Sequence, residues 1–74
     1  MTLEQDCLVI LAKQMGPAAR IFLDRQCKRH LNKEPAKLQK NDIEELAKWC
    51  FAGTQATLGQ SAAENIRKGM LELK

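Results

Sequence analysis

Cys27 and His30 are the residues best placed, by type and spacing, to do chemistry together. In Cys27-Lys28-Arg29-His30 a thiol and an imidazole stand three residues apart, which puts both on one face of a helix. Read as a metal site, the pair supplies two ligands and Cys50 a third. A structural zinc site wants four, usually as two short-spaced pairs, and no second pair is present. Read as a nucleophile and its base, the pair lacks a residue to orient the imidazole. The expectation is therefore a buried Cys27, with His30 at the edge of the core and its polar atom in solvent.

The remaining chemistry-bearing residues are scattered. His30 is the only histidine, and the acids are spread over polar helix faces with no carboxylate pair signalled for acid–base work. Gly16, Gly53, Gly59 and Gly69 are isolated and form no phosphate-cradling loop. These observations imply no enzyme, no catalytic or metal-binding residues, no cofactor and no small-molecule substrate.

Charge and aromatic placement point instead to binding. The net charge is +3, and seven Lys/Arg between Arg20 and Lys40 face only Asp24 and Glu34, whereas five acids balance four bases from Asn41 onward. Arg25, Lys28, Arg29 and Lys33 share a basic face that could contact phosphates. A small nucleic-acid-binding domain is the alternative reading. The helix–glycine–helix pattern around Leu11, Ala12, Met15, Gly16 and Phe22 invites comparison with DNA-binding helix-turn-helix motifs. Pro17 follows the glycine at once, Arg25 falls where burial is required, and the turn is short for that motif. With only Trp49, Phe22 and Phe51 as aromatics, base-stacking platforms are not supported. Val9 and Trp49 lie off the main apolar stripes of their helices. They are the candidate partner-binding residues, since tryptophan is enriched at binding hot spots. Trp49 equally suits a small bundle that wraps it into its own core.

These residues must be held by a very small scaffold. Seventy-four residues allow one domain, spanning 1–74, with few kcal/mol of stability in reserve. Self-association would strengthen it, so a homodimer is one expected form. Hydrophobic residues at 45% and charged residues at 28% place the chain among globular sequences. The longest apolar run, Cys7–Ala12, is six residues, far short of a membrane span. Three cysteines, each inside an apolar pattern, and an acidic start without a secretory signature predict a reduced, cytoplasmic protein with no membrane partner.

Helical periodicity runs throughout and predicts an all-α, compact four-helix domain with helices near 3–15, 17–31, 42–58 and 62–73. Thr2 with Gln5, Asn41 with Glu44, and Ser61 with Glu64 each form a capping-box pattern. Gly16-Pro17 ends one helix and opens the next, a sharp corner between helices 1 and 2. Leu38, the one large apolar residue of the polar connection Asn32–Lys40, is expected to plug the core on a short helical turn. Gly53 costs the third helix roughly 1 kcal/mol relative to alanine, so that the helix either bends or stops there or else reaches Leu58 and ends at Gly59. Ile21 and Phe22 widen the buried stripe of the second helix, and Leu58 extends that of the third.

The stretch Leu11-Ala12-Lys13-Gln14-Met15-Gly16-Pro17-Ala18-Ala19, then Ile21-Phe22-Leu23 and Ile43-Glu44-Glu45-Leu46-Ala47, resembles a small helical Gly-Pro domain of bacterial signalling proteins. That domain is common in cyanobacteria and is appended to protein kinases, forkhead-associated domains or response-regulator-like proteins. The likeness covers Leu8 to Phe51 and leaves the last helix unmatched. It implies a regulatory or adaptor role without catalysis, and no site residue beyond a structural Gly16-Pro17. The expected function is thus a non-enzymatic protein–protein interaction module, its partner a protein or a second copy.

Overall fold

Thr2 opens the first helix, α1 (Leu3–Met15), by a reciprocal cap. Its Oγ1 accepts the Gln5 N–H at 3.2 Å, while its own N–H donates to Gln5 Oε1 at 3.3 Å. Glu4 and Asp6 in the first turn complement the helix dipole. The helix ends at Gly16, whose φ of 63° is a conformation that only glycine adopts without strain here. Pro17 then sits in a 3-10 turn, Gly16–Ala18, where its missing N–H costs nothing. The computed structural model describes residues 2–73; Met1 and Lys74, the two ends of the expected domain, lie outside the described residues.

The stretch expected as one helix over 17–31 is a composite. The 3-10 turn leads into an eight-residue helix, α2 (Ala19–Gln26), which widens into a π turn over Cys27–Leu31. Asn32 stops it in the left-handed region at φ 56°, a conformation asparagine tolerates better than most residues. The Cys27 carbonyl then receives both the Asn32 N–H and the Lys33 N–H. The wider last turn lets one carbonyl satisfy two donors. Consequently three long α-helices form, of 13, 16 and 12 residues, where periodicity alone predicted four.

Two further 3-10 turns, Pro35–Lys37 and Lys40–Asp42, lead to α3 (Ile43–Leu58). Leu38, between them, is 9% exposed and joins the core, as its lone apolar character predicted. The Asn41–Glu44 cap does not open this helix. Asp42 precedes it without a side-chain cap bond to α3; its Oδ2 accepts the Gln39 N–H at 3.0 Å, closing the preceding 3-10 turn, and the Lys33 ammonium at 2.7 Å. α3 continues through Gly53 to Leu58, and a side chain at Gly53 would come within 3.1 Å of Phe22 Cζ. Glycine serves a close approach of α2 to α3 and not a break.

One residue, Gly59 at φ 94°, separates α3 from α4 (Gln60–Leu71). This immediate reversal starts α4 earlier than expected, so Ser61 lies inside the first turn and cannot cap it. Its expected partner Glu64 pairs with Arg67 at 2.9 Å. α3 and α4 pack as an antiparallel hairpin, and α1 leans on both α4 and α2. The core joins Cys7 and Leu11 of α1, Ala19 and Leu23 of α2, Cys27, Leu38, and Ile43, Leu46, Ala47 and Cys50 of α3 to Ile66 and Met70 of α4. The fold is all-α, with no strand among the described residues, and no helix is long and apolar enough to cross a membrane.

Candidate functional site

The Cys27–His30 pair does not meet the needs of a reactive centre. Cys7, Cys27 and Cys50 are free thiols with no solvent exposure, one each from α1, the π turn and α3. Burial pushes Cys27 up to about 11 and Cys7 up to about 12, and raises Cys50 as well. A nucleophile or metal ligand must be a thiolate, and these sites oppose it. No three His, Cys, Asp or Glu residues among the described ones are placed to hold a metal.

His30 is occupied elsewhere. Its ring lies flat on Trp49, with centroids 3.9 Å apart and planes 4° from parallel. Lys48 places its ammonium 5.4 Å from the Trp49 centroid. Trp49 is thereby half-buried, a shoulder residue between core and surface. Val9 is 48% exposed on the outer face of α1, flanked one turn away by exposed Gln5, Ala12 and Lys13. A single apolar side chain among polar neighbours is ordinary protein surface.

The four basic residues also part company. Lys33 is bound to Asp42 at 2.7 Å and Lys28 to Asp24 at 3.3 Å. Arg25 and Arg29 are exposed. The basic face is therefore not a uniform strip; its unspent charge sits on arginines, and one of these borders a groove.

That groove is the most organised apolar surface of the molecule. Ile21 is 65% and Leu58 39% exposed, and both line a groove of about 300 Å³ with Met15, Ala18, Phe22, Arg25, Thr54 and Thr57. Ala18, the last residue of the 3-10 turn, and Ile21, Phe22 and Arg25 of α2 share one face at i, i+3, i+4 and i+7, facing the C-terminal half of α3. The missing side chain of Gly53 lets the Phe22 ring settle against α3 as the floor. Thr54 Oγ1 donates to the Cys50 carbonyl at 2.7 Å, and Thr57 Oγ1 lies 3.5 Å from the Gly53 and Thr54 carbonyls. Both hydroxyls turn back on their own helix, so the wall they form is apolar.

A larger hollow of about 460 Å³ lies on the other side of Ile21, between Glu4, Leu8, Arg20, Leu23, Asp24, Glu34, Pro35 and Ala36. Charges of both signs line it. Ile21 is the ridge between the two. Reading the sequence by stripes assigned Ile21 and Leu58 to the interior. Arg25, one turn beyond both Ile21 and Phe22, was the signal that this stripe reaches solvent. No protein-family model, no curated protein and no solved structure matches the chain.

Proposed function

We propose that this domain is a non-enzymatic protein-interaction module, an adaptor that docks onto a larger regulatory or signalling assembly through the groove between α2 and α3. The observation that carries this reading is the continuity of Met15, Ala18, Ile21, Phe22 and Leu58 along one groove, with Ile21 two-thirds exposed at 65%. Contiguous apolar surface is what a partner covers, in contrast to the solitary Val9. The Gly16-Pro17 corner, read as the joint between α1 and α2, sets Met15 and Ala18 at one end of the groove. Three free buried thiols suit a reducing, cytoplasmic setting.

Covering the exposed part of Ile21 contributes roughly 1–2 kcal/mol, taken as a share of the full burial of an isoleucine. That is about five- to thirtyfold in affinity. The test is site-specific photo-crosslinking in the native host, with a benzophenone amino acid at position 21 or, for comparison, at position 9. A discrete adduct from position 21 that disappears with Leu58→Asp is the expected result. Equal labelling from both positions, or an adduct indifferent to Leu58→Asp, overturns the assignment.

A further inference from the structure

We infer that the groove between α2 and α3 receives an acidic amphipathic helix of another protein, with aliphatic side chains on Ile21, Phe22 and Leu58 and a carboxylate meeting Arg25. The inference rests on the interaction reading above and names the class of partner.

Charge complementarity decides the occupant. Among the described residues, Arg25 is the one charged residue lining the groove, and no acid lines it. Arg25 makes no ion pair among the described residues, whereas Lys28 and Lys33 are already held by Asp24 and Asp42. Arg29, one turn beyond Arg25 and also exposed, adds to the positive charge on that side. An incoming carboxylate gains a planar, two-pronged donor at the groove's rim.

The shape fits a helix. Two neighbouring helices leave a trough between their ridges, open at both ends, into which a third helix lays residues at i, i+3 or i+4, and i+7. Aliphatic walls and self-satisfied threonine hydroxyls offer a nucleic-acid backbone little to bond. A second copy of this chain fits less well. A two-fold contact brings the same patch against itself, so Arg25 and its basic neighbours would face their own like charge.

The test is selection from a displayed library of 16-residue helical peptides against the folded domain. Enriched sequences are then measured as fluorescein-labelled synthetic peptides by anisotropy. Apolar residues at helical spacing beside Asp or Glu are expected. Ile21→Asp and Leu58→Asp, both at exposed positions and checked by circular dichroism, should weaken binding about tenfold or more. Arg25→Glu should weaken it by a similar factor, and a peptide with its acid changed to lysine should regain affinity for that variant. Peptides that bind through Ile21 but ignore Arg25→Glu refute the acidic partner and leave the interaction module standing. An unproductive selection, or enriched peptides indifferent to Ile21→Asp and Leu58→Asp, refutes the groove itself. Micromolar binding of a labelled DNA duplex that survives Ile21→Asp but is lost with Arg25→Glu overturns the inference in favour of nucleic acid.

Discussion

Raising the pH above 9 should unfold this domain through its own thiols. Cys7, Cys27 and Cys50 have no solvent exposure. Burial lifts Cys7 from 9.0 to about 12 and Cys27 from 9.0 to about 11, and raises Cys50 too; nearby thiols add to the rise at Cys7 and Cys50. In the interval between the unfolded and the folded value, the native state keeps a proton that the unfolded chain has lost. The unfolded state then binds fewer protons, so stability falls as pH rises, beginning near 9.0. Each thiol costs about 1.4 kcal/mol per pH unit inside its interval. Three together cost about 4 kcal/mol per unit, against roughly 4–11 kcal/mol for a domain of this length. Unfolding is therefore expected from about pH 10 upward. The assay is a series of urea titrations from pH 8 to 10.5, under reductant, followed by far-UV ellipticity. Cys7→Ala and Cys27→Ala should each reduce the slope of stability against pH by about a third, whatever they do to stability at pH 8. Every other ionisable group remains in the variants and forms a common background. A wild-type slope under about 1 kcal/mol per pH unit, or one unchanged by either substitution, refutes the reasoning. The same protons bear on function, because rapid labelling of native Cys27 at pH 8 would contradict the burial that makes it unreactive.

Two glycines on helix faces should respond oppositely to alanine. At Gly69 a new Cβ would stand 3.1 Å from Ile10 Cγ2, a branch that cannot move without α1. Overpacking then outweighs the helix-propensity gain, and urea unfolding should show a net loss of about 1–2 kcal/mol. At Gly53 the contact is the far edge of the half-buried Phe22 ring, which can yield into the groove, so stability should stay within about 0.5 kcal/mol of wild type while the groove floor shifts. The Lys33 ammonium beside Asp42 holds that carboxyl below its usual range. Its stabilisation is full above the unfolded carboxylate value and is lost as pH falls through the lower folded one. Asp42→Asn should therefore cost about 1 kcal/mol at pH 6 and progressively less as the pH falls below the unfolded carboxylate value, read from the gap between the two urea midpoints. Removing the stacked ring with His30→Ala should shift the emission of Trp49, the only tryptophan, to longer wavelength and cost about 1 kcal/mol.

Helix identity was legible because several local signals agree. Thr2 and Gln5 cap as their spacing says, and Leu38 joins the core as the one large aliphatic side chain of its connection. Helix boundaries were less legible, for reasons of competition. Asn41 and Ser61 both have good capping chemistry, yet Asp42 captured a lysine from another element and Gly59 turned the chain before Ser61 was reached. The Lys33 contact spans nine positions, and the Gly59 reversal, though next to Ser61, is a competing signal that capping chemistry alone does not rank. Gly53 illustrates the same limit: its cost to the helix is intrinsic, while its reason is the ring of Phe22, which stands 31 positions earlier (53 − 22).

The candidate site lay beyond periodicity for a related reason. A stripe says which residues share a face of a helix, not how far a neighbour extends to cover it. α2 proper is eight residues and α3 sixteen, so a helix this short cannot shield the outer half of its partner. Ile21 and Leu58 are exposed where that cover runs out. Val9 is exposed because it points away from every neighbour, and Trp49 is half-shielded because a histidine lies across it. Exposure therefore has three separate causes in this domain. Only the first leaves several apolar side chains side by side with an arginine at their rim, and only there does exposure amount to a surface with a shape and a charge for a partner to match.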